Sequence, residues 1–283
     1  MVKKVQSLIC LIYNITYDVF LTANKVGARM DQQQLYFSST IGSQKPETIR
    51  NKAAACPFCQ RDELTDILET KGNIIWLMNK YPTLQDTYQT VIIETDQCNE
   101  DIRGYEQTHM RELIRFSIDK WLEVEKSGEY ESVILFKNHG PFSGGSIQHS
   151  HMQIIGMQHV DYHKNMAMID FEGSEIYKKS GIELNVSKYP VIGFTEFNLI
   201  LNTLEEIDEF ADKLQILVRY ILDGFHKGCT SYNLFFYHFH DLIICKAIPR
   251  FVVSPLFVGY KIPQVLMDNR LEIIKQDLSN LLI

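Results

Sequence analysis

The sequence predicts an α+β fold that consists of two related halves, each with antiparallel strands and one long helix. The first observation is that two β-rich segments, an amphipathic helix and two further strands follow one another over residues 73–157. The second is that a similar order returns over residues 191–248. The third is that a glycine, Gly128 or Gly228, ends each helical pattern. We therefore expect an internal duplication.

The strands of the first half are predicted where Ile, Val, Trp and Tyr concentrate. They are Asn73–Asn79, Tyr88–Thr95, Ser132–Lys137 and His151–Met157. Between the second and third strands, apolar residues recur at steps of three and four positions, which is typical of one buried helix face. This face consists of Met110, Leu113, Ile114, Ser117, Ile118, Trp121 and Leu122. A glycine-rich loop, Asn138 to Ser150, joins the last two strands.

The second half repeats the arrangement but has no glycine-rich loop. Its strands are predicted at Val191–Leu201, Tyr232–Phe239 and Leu242–Ile248. Thr203 and Glu206 form a candidate capping box at the start of the helix. The helix presents an apolar face of Ile207, Phe210, Ala211, Leu214, Leu217, Val218, Ile221, Leu222 and Phe225. A final helix is predicted from Gln264 to Leu282.

Composition and charge narrow the class of protein. The chain has 283 residues and a formal net charge of 28 − 35 = −7, so it lacks the broad basic surface that nucleic-acid binding requires. A small anionic substrate is still compatible, because a site needs only a few local donors. The apolar stretch at residues 7–22 is interrupted by polar residues and is too short to span a membrane. Six cysteines in a chain of this length do not indicate a disulfide framework, and we expect a cytoplasmic protein.

The most informative segment runs from Asn138 to Gln153. If the segment from His149 enters a strand, His149, His151 and Gln153 project from one face. The loop before them contains the candidate phosphate-binding residues Gly140, Gly144, Gly145 and Ser146, whose amides can approach an anion closely. A neutral histidine whose second ring nitrogen is held by an acceptor can attack a phosphoanhydride. The alternative is that the His-x-His pair is a surface feature or a metal ligand.

This segment resembles the signature of the galactose-1-phosphate uridylyltransferase family of the histidine-triad superfamily. The family pattern has Asn-x-Gly, a glycine-rich stretch, Ser and His-Pro-His-x-Gln, and it aligns without gaps. The resemblance implies histidine-triad-like halves, nucleotidylation of His151, and phosphate contacts from Asn138, Ser146 and Gln153. Ser150 stands where the family usually has proline, which removes no functional group.

A second motif, Cys56-Pro-Phe-Cys59, has a spacing that suits zinc, although a redox pair or two buried thiols would fit it as well. Members of the family carry such a pair and complete the zinc site with a histidine after a Val-Glu-Thr-like strand end and with the first His of His-x-His. Here Cys98 follows the equivalent strand end. The resemblance therefore implies a structural zinc site of Cys56, Cys59, Cys98 and His149, with a thiolate in place of one imidazole.

The resemblance extends over residues 79–82 and 257–260, but there are departures. Lys261 and Pro255 stand where the family has an acidic sugar-contacting residue and a lysine. Ile244 and Lys246 occupy the strand in which relatives carry further histidines. His238 and His240 lie close by but out of register, and we expect core or surface roles for them, with substrate contact as a minority alternative.

These observations predict three segments and one main function. Residues 30–160 are expected to form the catalytic half with the zinc site, residues 161–283 a degenerate second half, and residues 1–29 a peripheral extension or an upstream mis-start. We expect a nucleotidyltransferase that moves a nucleoside monophosphate from a nucleotide sugar to a sugar 1-phosphate. The alternatives are a nucleotide-sugar phosphorylase or hydrolase, and a non-catalytic protein that binds nucleotide and zinc. Galactose is only one candidate sugar, and a homodimer is possible by resemblance.

Overall fold

The computed structural model describes residues 34–51 and 53–282. The chain divides into two units, and the helices and strands given below lie in the second unit, residues 37–283. The extension or mis-start expected at residues 1–29 lies outside the described residues.

In the described part of the chain, ten strands form one sheet, and adjacent strands in it are antiparallel. The strands are β1 (Ile67–Lys71), β2 (Ile74–Met78), β3 (Thr87–Ile93), β4 (Ser132–His139), β5 (His151–Met157), β6 (Gly173–Lys179), β7 (Ile182–Ser187), β8 (Phe197–Leu201), β9 (Tyr232–Phe239) and β10 (Leu242–Pro249). Their spatial order is β1-β2-β3-β5-β4-β9-β10-β8-β7-β6.

This order confirms the predicted duplication. Read from either edge toward the centre, each half has its first, second, third, fifth and fourth strand in that sequence. The two halves meet where β4 pairs with β9, so that Phe136 lies opposite Phe235. The halves therefore share one continuous sheet and are related by an approximate two-fold axis near this central pair.

The helices of the second unit are α1 (Ser39–Gly42), α2 (Gln107–Lys126), α3 (Ile207–Arg219), α4 (Pro255–Tyr260) and α5 (Asp268–Leu281). Helices α2 and α3 are the two predicted long helices, and both pack on the same face of the sheet in one large apolar core. Arg111 of α2 joins them, since its Nε donates to Asp212 of α3 over 2.9 Å. The α3 helix continues as a π-helical turn, Tyr220–Phe225.

Several local predictions need correction. No helix or strand is predicted from the sequence in residues 160–190, yet they contain two 3-10 turns and the strands β6 and β7. Thr203 caps a 3-10 turn rather than forming the expected box, because its Oγ1 accepts from the amide of Glu205 at 3.4 Å. The strand predicted from Val191 begins only at Phe197. A turn precedes it, in which the Glu196 carboxylate accepts from the amides of Val191 and Ile192.

The face of the sheet opposite the helices differs between the halves. In the second half, the segment 161–171 lies across it, and the ring of Phe171 packs against Tyr237 of β9 with centroids 5.0 Å apart. Beneath this segment, Lys246 Nζ pairs with Glu196 at 3.0 Å and donates to the carbonyl of Asp170 at 2.9 Å. In the first half the same face is open and forms a cavity.

Candidate active site

The cavity lies over β2, β3, β5 and β4 of the first half and has a volume of about 370 Å³. Loops close its sides, namely those around residues 45–46, 57–66, 79–84 and 144–147. Of the phosphate-site residues expected from the sequence, those that line it are Asn138, Gly144, Gly145, Ser146 and Gln153. His151 lines it as well, so the structure brings the nucleophile candidate and these residues together.

His151 is the first residue of β5, and the pleat decides which way its ring points. Met152 and Ile154 enter the core under the helices, whereas His151 and Gln153 line the cavity. His151 Nδ1 lies 2.8 Å from the carbonyl oxygen of His149, so Nδ1 carries the proton and donates it. This leaves the lone pair on Nε2. Burial, opposed by this hydrogen bond, lowers the pKa of His151 to about 4, so the ring is neutral at neutral pH.

Cys56, Cys59, Cys98 and His149 converge, and their candidate ligand atoms all lie within 4.8 Å of one another. Both Cys56 Sγ and Cys59 Sγ lie 3.5 Å from His149 Nδ1. His149 Nε2 donates to the carbonyl of Thr95 over 2.8 Å, so Nδ1 keeps its lone pair for a ligand. A tetrahedral ion with bonds of about 2.3 Å to sulfur and about 2.0 Å to nitrogen would place sulfur and nitrogen about 3.5 Å apart. The four residues could therefore hold a metal ion.

Phe58 connects the cysteine turn to both histidines. It lies between Cys56 and Cys59 in the chain, and its ring contacts the rings of His149 and His151 edge-on, with centroid distances of 5.9 and 5.3 Å. Phe58 is also part of the cavity wall. One aromatic ring thus contacts both the candidate metal site and the candidate nucleophile.

Gly140 differs from the other residues expected to contact phosphate. It does not line the cavity, and its φ of +81° belongs to the left-handed region. A Cβ at this position would lie 2.1 Å from the carbonyl oxygen of Thr230. Glycine is needed here because the loop passes close to the second half of the chain. Gly144, with a φ of +86°, also needs the left-handed region, but it does line the cavity.

Sequence reasoning missed Lys45. This residue lines the cavity, and burial lowers the pKa of its ammonium group. Among the described residues, no carboxylate forms an ion pair with it. Its loop is tied to the glycine-rich loop, since the amides of Thr48 and Ile49 donate to the carbonyl of Ser146 at 2.8 and 3.1 Å. No motif surrounds Lys45, so its place in the cavity wall becomes visible only in the folded chain.

A buried ion pair on the helix side of the sheet was also missed. Lys137 Nζ lies 2.5 Å from Glu94 Oε1, and neither side chain is exposed to solvent. The hydroxyl of Tyr105 donates to the second carboxylate oxygen over 3.0 Å. Because Glu94 directly follows β3, this pair anchors the strand end from which Thr95 reaches His149.

The remaining candidates lie away from the cavity. His238 Nδ1 lies 2.6 Å from Glu125 of α2 on the helix-covered face, which agrees with a core or surface role. His240 occupies the turn after β9 with a φ of +48°. Neither of them, nor Pro255 or Lys261 around α4, lines the cavity.

The fold is shared with solved structures of known proteins. A uridylyltransferase has 15% identity and a TM-score of 0.64, over 81% of this chain and 91% of its own. An ADP-glucose phosphorylase from Arabidopsis thaliana, solved with bound ADP-glucose, has 12% identity and a TM-score of 0.63, over 90% and 92%. A GalT-like protein from the same plant has 14% identity and a TM-score of 0.64, over 79% and 91%. The fold that the resemblance implied, that of the uridylyltransferases, is thereby confirmed.

Within this class, the chain belongs to the DUF4931 family. The family's N-terminal domain, described as a domain of unknown function, matches residues 37–160, and its C-terminal domain matches residues 163–282. A DUF4931 family protein from Bacillus cereus ATCC 10987 has 58% identity and a TM-score of 0.70, over 76% of this chain and 99% of its own.

A curated relative matches only a part of the chain. A di-/tripeptide transporter from Lactobacillus helveticus is 31% identical over 94 residues, which are 33% of this chain and 19% of the transporter. This chain thus spans less than a fifth of the length of that relative. In the described ranges, no helix is both long enough and apolar enough to cross a membrane.

Proposed function

We propose that this protein transfers a nucleoside monophosphate from a nucleotide sugar to a sugar 1-phosphate or to inorganic phosphate, through a covalent intermediate on His151. The observation that carries the proposal is the geometry of His151. Its ring borders a cavity of about 370 Å³, and its Nδ1–H donates to the carbonyl of His149. The Nε2 lone pair is therefore available to a phosphorus atom in the cavity.

In the first half reaction, Nε2 attacks the α-phosphorus of the donor. A phosphorus–nitrogen bond forms while the bond from phosphorus to the bridging oxygen breaks, and its electron pair leaves with the sugar 1-phosphate. The ring acquires positive charge, which the hydrogen bond from Nδ1 to the His149 carbonyl stabilises. In the second half reaction, an acceptor phosphate oxygen attacks the same phosphorus and displaces Nε2.

The surrounding residues are suited to stabilise charge on the phosphoryl oxygens. Asn138, Ser146 and Gln153 line the cavity and can donate side-chain hydrogen bonds. The backbone at Gly144 can approach an anion closely, and Lys45 supplies a cation without a carboxylate partner among the described residues. Donors that line the cavity before the substrate binds would reduce the reorganisation that charge transfer requires.

We propose zinc as the ion held by Cys56, Cys59, Cys98 and His149, in a structural role. Four protein ligands would close the coordination shell, as in structural zinc sites. When bound, zinc would neutralise the thiolates and hold the cysteine turn against the strand that carries His151. Thiolate ligands also agree with the reducing conditions of the cytoplasm. A cytoplasmic location and a possible homodimer are therefore part of this proposal.

The nature of the donor is supported by the related fold, since the ADP-glucose phosphorylase binds ADP-glucose. Experiments with different nucleotide sugars identify the nucleobase and the sugar that this protein uses. Isotope-labelled phosphate separates the possible acceptors. Its incorporation into a nucleoside diphosphate indicates a phosphorylase, whereas formation of a new nucleotide sugar from a second, labelled sugar 1-phosphate, with no incorporation of inorganic phosphate, indicates a transferase. Release of free nucleoside monophosphate alone indicates a hydrolase.

Intact-protein mass spectrometry tests the covalent step. The zinc-loaded protein is incubated with UDP-, ADP- and GDP-sugars, and His151→Ala is compared with wild type. His159→Ala is the matched control, because His159 is exposed and lies just beyond the same strand. We expect an acid-labile nucleoside monophosphate adduct on wild type and on the control only. The absence of an adduct from every donor, or its persistence in His151→Ala, would contradict the proposal.

A further inference from the structure

Asn138, which lies near the end of β4 just before the glycine-rich loop, is held from the second half of the molecule. It lies directly opposite Asn233 in the central pair of strands. Asn233 is 1% exposed, and its Nδ2 donates to Asn138 Oδ1 over 2.6 Å and to the carbonyl of Ser143 over 3.0 Å. One buried amide from the second half therefore contacts both the loop and the side chain that precedes it.

The orientation of the Asn233 amide is determined by Arg250, which follows β10. Arg250 Nη1 donates to Asn233 Oδ1 over 2.8 Å. A guanidinium group can only donate, so the oxygen of Asn233 faces Arg250 and its nitrogen faces Asn138. Within the described part of the chain, no carboxylate lies within ion-pair distance of Arg250. Its charge is thus available to polarise the Asn233 amide.

The consequence is a defined orientation for Asn138. Because its Oδ1 accepts from Asn233, its Nδ2 is turned away from the second half. Among the described residues, no acceptor is hydrogen-bonded to this Nδ2, and Asn138 is part of the cavity lining beside His151. A flipped amide would present its oxygen instead and would repel a phosphoryl oxygen.

We propose that Asn233 and Arg250 are positioning residues, which hold the Asn138 amide with its Nδ2 directed at the phosphoryl group of the substrate. The inference rests on the proposed function, since it takes that group to be the ligand. The second half, which lacks the His-x-His motif, then contributes to the reaction through a chain of hydrogen bonds from Arg250 to Asn233 to Asn138.

Asn233→Asp tests the orientation without reference to activity. The new carboxylate can still accept from Arg250, but it can no longer donate to Asn138. The Asn138 amide should then turn and donate from Nδ2 to this carboxylate. Proton exchange of the Asn138 side-chain amide is measured by NMR on protein with isotope-labelled asparagine, and its signal is assigned by its loss in Asn138→Ala. We expect fast exchange in wild type and slow exchange in Asn233→Asp. Slow exchange in wild type, or equal rates in both proteins, overturns the proposal.

The functional part of the test uses the transfer reaction in a double-mutant cycle. Asn233→Asp should lower kcat roughly tenfold to a hundredfold with a smaller change in KM, because a donor to a charged phosphoryl group is lost. In an Asn138→Ala background the same change should alter kcat less than about twofold. Equal losses in both backgrounds overturn the positioning role. If no donor forms an adduct on wild type, the proposed function fails, while the exchange rates still decide the orientation of Asn138.

Arg250→Lys and Arg250→Met provide a second pair of variants in case Asn233→Asp does not fold. Lysine can still donate to Asn233 Oδ1, whereas methionine has a similar size and cannot donate. In Arg250→Lys we expect the exchange rate of the Asn138 amide and kcat to be close to wild type. In Arg250→Met we expect slower exchange and a lower kcat, as in Asn233→Asp. Thermal unfolding first establishes that both variants are folded. Equal exchange rates and equal kcat values in the two folded variants then contradict the inference.

Discussion

The two halves of the sheet show how similar topologies can serve different purposes. Gln153 and Lys246 are equivalent by position, since each lies one strand away from the central pair of Phe136 and Phe235 on the face opposite the helices. Gln153 lines a cavity, but Lys246 is 3% exposed. In the second half the segment 161–171 covers this face.

The covered face is stabilised by groups that satisfy one another, whereas the open face keeps groups that can still bind a ligand. Lys246 is paired with Glu196, and burial lowers the pKa of Lys246. In the cavity, by contrast, Lys45 has no carboxylate partner and His151 hydrogen-bonds only through Nδ1, both within the described residues. The comparison indicates that a binding site needs polar and charged groups without partners inside the protein, as much as it needs particular residue types.

The largest expected effect is the loss of the nucleophile. His151→Gly should lower the transfer rate at least about ten-thousandfold, because the proposed covalent intermediate forms on the missing ring. Free imidazole should restore part of the donor cleavage, since it can occupy the space of the missing ring. Steady-state assays with and without imidazole measure both effects. A variant that retains transfer without imidazole would contradict the role of His151.

The proposed zinc site gives the next largest effect. Cys98→Ala should release zinc and lower the free energy of unfolding by roughly 5 kcal/mol, because zinc binds the folded site and not the unfolded chain. Cys98→His is the matched control and should retain zinc, since an imidazole can take the place of the thiolate. Metal analysis and thermal unfolding measure the outcome. Equal metal content and equal stability in all three proteins would rule out Cys98 as a ligand.

Substitutions on the covered face of the second half should affect stability alone. Lys246→Met leaves Glu196 buried without its counter-charge and should lower the free energy of unfolding by about 3 to 5 kcal/mol. Adding Glu196→Gln should recover a large part of this loss. Urea unfolding measures stability, and transfer per folded molecule should stay near wild type in both variants. A loss of transfer without a loss of stability would show that the second half's face also takes part in the reaction.

The smallest expected effect concerns the open face. Lys45→Met should weaken nucleotide binding about tenfold, because one charge-assisted contact to phosphate is removed. Lys227→Met makes the same change in net charge at an exposed position and should leave affinity unchanged. Isothermal titration with the nucleotide identified by mass spectrometry compares the two. Equal affinities for both variants would remove Lys45 from the site.

Particular elements show why some parts of this structure can be predicted and others cannot. Strand β5 has the predicted bounds because its β-rich run and the preceding glycine loop are local signals. The grouping of Cys98 with Cys56, Cys59 and His149 could be predicted only through family resemblance, and the geometry now supports it. Strand β7 was missed because Asn185 interrupts its apolar pattern. That amide is buried because it donates to the carbonyl of Phe171 over 3.2 Å.

The sequence by itself determined the duplicated α+β design, the two long helices and the segment that carries His151, because periodicity and motif spacing are properties of neighbouring residues. Only the tertiary structure decided which face of the sheet is open, that Lys45 lies beside the glycine loop and that Asn233 holds Asn138. These features depend on contacts between residues about a hundred positions apart, such as Asn233 and Asn138. No local pattern records such contacts, because burial and hydrogen-bond partners exist only once the chain has folded.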